Sequence, residues 1–172
     1  RPPIINIGTY LRASEVDAHV QHFIETGACG RPYTPAPRVQ IVSLGAGSDT
    51  RFWRLRHARL ARYVELDFPS TTSQKAAAIH AHPALRHALE DARVTADGLV
   101  SSPYVLLGID IRTLPHGTWQ RVATYLDPAL PTLLLCECVL AYMDIEVANA
   151  ALRTCLATLP RASILSYDMC IS

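Results

Sequence analysis

The sequence predicts an α/β fold, a mostly parallel sheet with helices on both faces, and three observations predict it. Short runs rich in Val, Ile and Leu alternate with segments of helical spacing. Those runs are apolar on both faces, as strands covered by helices on either side must be. Glycines or acids stand at the ends of the first four of them, and ligands of open parallel sheets bind beyond the carboxyl ends of the strands.

Taken in order, Asn6 to Thr26 reads as a helix or helix pair, with Tyr10, Val16, Val20, Phe23 and Ile24 near helical spacing. Arg31 to Pro37 carries three prolines, which remove donors and exclude regular structure. Val39 to Leu44 is a short β-branched strand bounded by Gly45-Ala46-Gly47. Arg62 to Leu66 is a second strand, ending at Asp67-Phe68-Pro69. Ser70 to His82 is Ala-rich, lacks an internal breaker and reads as a helix stopped by Pro83. Val105 to Ile111 is a third strand, Gly117 to Tyr125 a helix, and Thr132 to Cys138 a fourth strand. Asp144 to Leu159 places Ile145, Ala148, Leu152, Cys155 and Leu159 on helical spacing, with Asp144 as N-cap. Ser163 to Tyr167 is a fifth strand. Nothing is assigned between Pro83 and Tyr104.

The 172 residues suit one domain at roughly 150 residues each, with a helical segment over 1–30 and a sheet-bearing core over 38–172. Hydrophobic residues make up 49% and charged residues 18%, which excludes a disordered chain. Lys plus Arg is 16 and Asp plus Glu is 15, so no overall field draws nucleic acid or an anionic membrane. No apolar run reaches the roughly 18 residues of a membrane span. Five cysteines, an odd number without metal-site spacing, predict reduced thiols and an intracellular, cytoplasmic protein. His80 and His82, two apart near a helix end, would not share a face, so no metal is expected. The opening Arg1-Pro2-Pro3 has neither an initiator Met nor an apolar signal core, so the chain is expected to begin inside a longer sequence. The basic run Arg51, Arg54, Arg56, Arg59 and Arg62 reads as a solvated helix face, and Trp53 and Trp119 as core anchors.

Chemistry gathers at the strand ends. The first strand runs into Gly45-Ala46-Gly47-Ser48-Asp49-Thr50, where glycine lets the backbone turn and a ligand approach. Asp67 follows Gly45 by 22 positions, the spacing that sets a carboxylate on a ribose diol. Asp110 ends the third strand and Glu137 interrupts the apolar fourth, where an unpaired buried charge is expensive. A dinucleotide fingerprint wants a third glycine where Thr50 stands, which disfavours a nicotinamide dehydrogenase. Acids at several strand ends would repel a pyrophosphate but not a sulfonium. The pattern suits a cofactor without phosphates, of which S-adenosylmethionine is one.

The stretches Pro3 to Arg12, Gln40 to Leu55, Tyr63 to Pro69, Gly108 to Arg112 and Leu130 to Met143 resemble the leucine carboxyl methyltransferases. The glycine loop running into Asp49-Thr50-Arg51-Phe52-Trp53-Arg54 and the segment Glu137-Cys138-Val139-Leu140-Ala141-Tyr142-Met143 are the specific parts. Ile7 stands where the family pattern has Arg. The resemblance implies a Rossmann-like S-adenosylmethionine-dependent methyltransferase fold, here truncated after the fifth strand and incomplete at both ends. It also implies the cofactor contacts. Arg12 would pair with the methionine carboxylate and Gly45 lie under the methionine part. Asp67 would hold the ribose hydroxyls, Asp110 and Ile111 frame the adenine, and Glu137 meet the amino group.

The implied reaction methylates the C-terminal leucine carboxylate of the type-2A protein phosphatase catalytic subunit. The implied partner is that protein; no nucleic acid or membrane partner is expected, and the chain is expected to be a monomer. A terminal carboxyl has a reference pKa of about 3.3 to 3.7, so it is already a nucleophile at neutral pH and needs no base. Tyr142, after the fourth strand, is the candidate for placing that carboxylate. Two alternatives remain. One is the related carboxyl methyltransferase of wybutosine formation on transfer RNA. The other is a fragment that binds cofactor without catalysing transfer.

Overall fold

The computed structural model describes residues 3–27, 38–55 and 58–168. The Pro-rich connector, Arg56, Cys29 and Cys170 lie outside them. The first described element is α1 (Pro3–Thr26), whose second half buries Val16, Val20, Phe23 and Ile24. Burying such side chains contributes roughly 1.5–3 kcal/mol each, so these four hold the helix on the sheet while Ile4, Ile5 and Ile7 stay exposed.

β1 (Val39–Leu44) is buried at every position, its apolar Val39, Ile41, Val42 and Leu44 as well as its polar Gln40 and Ser43. It is followed by α2 (Arg51–Arg54), β2 (Leu60–Asp67), α3 (Pro69–Ala81) and α4 (Pro83–Arg86). Then come β3 (Glu90–Thr95), β4 (Gly98–Ser102), β5 (Tyr104–Gly108) and α5 (Trp119–Ala123). β6 (Thr132–Glu137), α6 (Ile145–Thr158) and β7 (Ala162–Tyr167) complete the described chain. Two 3-10 turns, Ile111–His116 and Leu140–Tyr142, follow β5 and β6. Asp144 caps α6 as expected, its side chain accepting the Glu146 N–H at 2.9 Å.

The seven-stranded sheet runs β3-β4-β5-β2-β1-β6-β7. The parallel strands β5, β2, β1, β6 and β7 are the five read from the sequence. β3 and β4 are two more, an antiparallel hairpin on the β5 edge that the sequence reading did not assign. β3 is exposed at all six positions, and only Ala92 and Val94 supply apolar alternation, too little to mark a strand. Its signal was instead Asp97-Gly98, a hairpin dipeptide beside Val94 and Leu99. The third predicted strand also ends earlier, at Gly108 rather than Ile111. Asp110 is the N-cap of the 3-10 turn, its side chain accepting the Arg112 N–H, and this capping draws the chain out of the sheet.

Alternate residues of the strands feed two cores. Val39, Ile41, Tyr63, Tyr104, Leu106, Leu133 and Leu135 pack with α1, α2 and α3. Val42, Leu44, Val64, Leu66, Leu107, Leu134 and Cys136 pack with α5, α6 and Trp119. Trp119 is the anchor expected, its Nε1 donating to Thr158 Oγ1 at 2.7 Å. Trp53 packs edge-on to Phe52, 5.2 Å between centroids, and donates to the Leu85 carbonyl.

Candidate functional site

The chain goes from β1 outward to β2 and β5, then returns to lay β6 and β7 on the other side of β1. The winding therefore reverses between β1 and β6, the place where open α/β sheets bind ligands. Gly45 ends β1 there and Glu137 and Cys138 end β6.

Gly45 has φ +67, and a Cβ at that position would lie 2.4 Å from Val139 Cγ2. Glycine is required by both the turn and the close approach. Its N–H and that of Ala46 donate to the Leu66 carbonyl, tying the loop to β2. Asp67 at the end of β2 clamps the same loop. Its Oδ2 accepts the Gly47 N–H at 2.7 Å and its Oδ1 the Phe68 N–H at 2.7 Å. Each oxygen keeps a lone pair for a ligand.

Two cavities open on this rim. The first, about 300 Å³, is lined by Gly45, Asp67, Phe68, Ile109, Asp110, Ile111, Arg112, Cys138, Val139, Tyr142 and Met143. The Arg112 guanidinium grips both Asp110 oxygens and lies over the Phe68 ring, 5.6 Å from its centroid. Those hydrogen bonds hold the Asp110 carboxyl below its usual range. The second cavity, about 310 Å³, has Arg12, Ser43, Gly45, Asp49, Arg51, Glu137 and Cys138 among its walls. Gly45 and Cys138 belong to both. Cys138 has φ +52, a turn out of the strand that carries its side chain to the shared wall.

Charge is concentrated in the second cavity. Glu137 lies 2.8 Å from Arg12 Nε and 2.6 Å from Arg51 Nη1. Arg12 Nε is nonetheless buried without an aligned hydrogen-bond acceptor, so this pair is a charge contact and not a hydrogen bond. Arg12 Nη1 points to Cys138 Sγ at 3.5 Å. Arg51 also reaches Asp17 of α1 at 2.6 Å and Asp49 at 2.9 Å, and Arg54 pairs with Asp17. Burial alone would lower the Arg51 pKa, but Asp49 and Glu137 outweigh it and raise the value. Burial likewise raises Asp17, and the hydrogen bonds from Arg54 and Arg51 outweigh it and lower the value.

Behind this rim, fully buried Glu65 of β2 accepts from Tyr104 Oη at 2.8 Å and pairs with Lys75 of α3. Burial pushes its carboxyl up to about 7, although Lys75 opposes it.

All seven residues singled out from the sequence stand on this one edge. Gly45, Asp67, Asp110, Ile111 and Tyr142 line the first cavity, and Arg12, Gly45 and Glu137 the second. Tyr142 is 71% exposed at the cavity rim. The reading of the basic run as a solvated face needs correction. Arg51 is 4% exposed among three carboxylates, and Arg62 donates to the Tyr125 and Ser101 carbonyls. Asp17 and Asp49 were not singled out. Asp17 lies 34 positions from Arg51, and no local spacing relates two residues on different elements. Among the described residues no group of three or more His, Cys, Asp or Glu side chains could hold a metal ion. No described helix is long and apolar enough to cross a membrane.

The chain matches the family model described as Leucine carboxyl methyltransferase over residues 1–156. It is 35% identical over 213 residues to leucine carboxyl methyltransferase 1 of Mycosarcoma maydis, covering 100% of this chain and 39% of that protein. It is 39% identical over 171 residues to leucine carboxyl methyltransferase 1 of Cryptococcus neoformans var. neoformans serotype D strain JEC21, covering 85% and 45%. It is also 39% identical over 175 residues to tRNA wybutosine-synthesizing protein 4 of Homo sapiens, covering 98% and 25%. The chain thus spans less than half the length of these relatives. Among solved structures, a Thermobifida fusca YX protein assigned as a methyltransferase superposes with a TM-score of 0.57 at 16% identity, covering 88% of this chain and 49% of that one. That likeness establishes the α/β methyltransferase fold.

Proposed function

We propose, on the premise that this chain belongs to the leucine carboxyl methyltransferase family, that it binds S-adenosylmethionine across the two cavities. The methyl acceptor in this reading is a peptide C-terminal leucine carboxylate, that of the type-2A protein phosphatase catalytic subunit. One observation carries the reading: two cavities of similar size share the Gly45 and Cys138 wall and differ in chemistry. The first offers acids and apolar side chains, suited to a ribose diol and an adenine. The second offers a guanidinium beside a carboxylate, suited to the carboxylate and ammonium of an amino acid.

The residues fit the cofactor. Asp67 keeps free lone pairs toward the cleft, and Arg12 Nε is a buried donor that still lacks an aligned acceptor. Glu137 provides the matching negative charge. Asp110 is bound by Arg112, which is largely exposed and can swing away. When bound, the cofactor supplies an electrophilic methyl group on a sulfonium.

The protein's own contribution is alignment. The acceptor carboxylate is ionised at neutral pH, with a reference pKa of about 3.3 to 3.7, so no general base is needed. Fixing it in line with the methyl group can supply roughly 7–11 kcal/mol. In this reading Tyr142, on the rim of the first cavity, donates a hydrogen bond that orients the carboxylate, and Met143 helps exclude water from it.

The likeness to the human wybutosine-synthesizing protein favours a second reading, carboxyl methylation on transfer RNA. The net charge of +1 gives no general attraction for RNA. The deciding experiment follows labelled methyl transfer to the intact phosphatase subunit, to a version lacking its terminal leucine, and to transfer RNA. Transfer that requires the leucine supports the first reading, and transfer to RNA alone overturns it. Binding without transfer to any acceptor would mark the chain as a cofactor-binding piece only. In calorimetry Asp67→Ala and Arg12→Ala should each weaken S-adenosylmethionine by about tenfold or more, because each removes a charged hydrogen-bonding partner. Unchanged affinity in either variant would count against the site.

A further inference from the structure

We propose that Arg51 is a positioning residue for the amino-acid end of the cleft. It engages the second Glu137 oxygen, so that the carboxylate is not aligned on Arg12, and it ties α1, which carries Arg12, to the rim of the sheet. This inference rests on the cofactor reading above.

A guanidinium 4% exposed is costly unless its charge is matched. Arg51 meets three carboxylates from three parts of the chain: Asp17 of α1, Asp49 of the glycine loop and Glu137 at the end of β6. Its Nε and Nη1 are engaged by them. Without Arg51, these three acids would face one another with only Arg12 and Arg54 nearby. With it, three carboxylates meet three guanidiniums. An incoming zwitterion, itself neutral, leaves that balance intact.

The geometry also separates two tasks. Arg12 Nε lies close to Glu137 but its N–H is not aligned on an acceptor. Glu137 is thus shared between two cations, one oxygen 2.6 Å from Arg51 Nη1 and the other 2.8 Å from Arg12 Nε. If Arg51 is removed, the nearest remaining cation is Arg12. Glu137 then aligns on it, turning their present charge contact into a hydrogen-bonded ion pair that satisfies the orphaned donor. A ligand's ammonium and carboxylate must then compete with that pair. At the same time α1 loses one of the two arginines that bind Asp17, and Arg12 rides on that helix. The first cavity contains none of these groups except through the shared Gly45 and Cys138 wall.

The test compares two ligands with the same adenosine. S-adenosylhomocysteine has the amino-acid end, and 5′-methylthioadenosine lacks it. Arg51→Ala should weaken S-adenosylhomocysteine by about tenfold or more, the scale of a lost charged hydrogen bond. It should leave 5′-methylthioadenosine within about twofold, below the effect of one neutral hydrogen bond. Arg51→Lys should recover part of the loss, since one ammonium can restrain Glu137 but cannot span three carboxylates. If Arg51→Ala does not fold, Arg51→Lys and Arg51→Gln read the same ratio of affinities. Equal weakening of both ligands in a folded variant would reduce Arg51 to a structural residue and overturn the proposal. Undiminished S-adenosylhomocysteine binding would overturn it as well. Wild-type protein that binds neither ligand would overturn the cofactor reading itself, a result distinct from the other two.

Discussion

Replacing Gly45 by alanine sets two separate costs against the fold. The backbone there has φ +67, and a side chain in that region costs about 1–2 kcal/mol. The new Cβ would also stand 2.4 Å from Val139 Cγ2 and 3.1 Å from Val139 Cβ. Carbon atoms rest at about 3.5–4.0 Å, so Val139 must move, and such overpacking costs about 1–3 kcal/mol. Together the loss is about 2–5 kcal/mol, a large part of the roughly 5–15 kcal/mol that holds a typical domain. Val139 follows Cys138, so the displacement reaches the wall common to both cavities. The assay is urea unfolding of Gly45→Ala, Val139→Ala and the double variant. Val139→Ala removes the clashing methyl groups, so the double variant should be more stable than additivity allows by about 1–3 kcal/mol. Gly47→Ala is the control: φ is +50 but nothing lies within 4 Å, so only the strain of about 1–2 kcal/mol applies. A Gly45→Ala protein no less stable than Gly47→Ala, or a strictly additive double variant, would refute the steric argument.

Glu65 makes stability depend on pH. Its folded value of about 7 stands above the ordinary 4.5. Between those values the folded protein keeps a proton that the unfolded chain has lost. The contribution is fully present below pH 4.5 and disappears as pH rises through 7. Its size is about 3 kcal/mol at 1.36 kcal/mol per unit. Unfolding free energy measured from pH 4.5 to 8 should fall over this window in the wild type and flatten in Glu65→Gln; identical slopes would dismiss Glu65 as the cause. Asp144→Ala deletes the α6 cap and should cost about 1 kcal/mol in the same assay, while an unaltered midpoint would show that the cap carries no weight.

Much of the architecture was readable along the chain because local chemistry dictates it. Val39 to Leu44 could be read as a strand because it is short, rich in β-branched residues and bounded by Gly45-Ala46-Gly47. Asp144 could be named as a cap from its place before an amphipathic stretch. The candidate contacts at Gly45, Asp67 and Glu137 were legible because parallel strands deliver their carboxyl ends to one edge. The β3-β4 hairpin escaped because β3 is short and exposed throughout and gains its place from pairing with β4, not from burial of its own side chains. Asp110 was read as a strand end because a capping acid and a strand-terminal acid look alike until the backbone direction is known.

Arg51 marks the boundary between what sequence by itself determined and what only the tertiary structure decided. Periodicity, breakers and the spacing of glycine to acid are short-range properties, and they settled the alternation of elements, the direction of the sheet and the edge where chemistry collects. The number and type of an arginine's neighbours are long-range properties. In a row of five arginines, Arg51 looked like any other until folding brought Asp17, Asp49 and Glu137 around it and took it out of water. Burial and ion pairing depend on which distant segments arrive at the same point, and that is fixed only when the helices close onto the sheet.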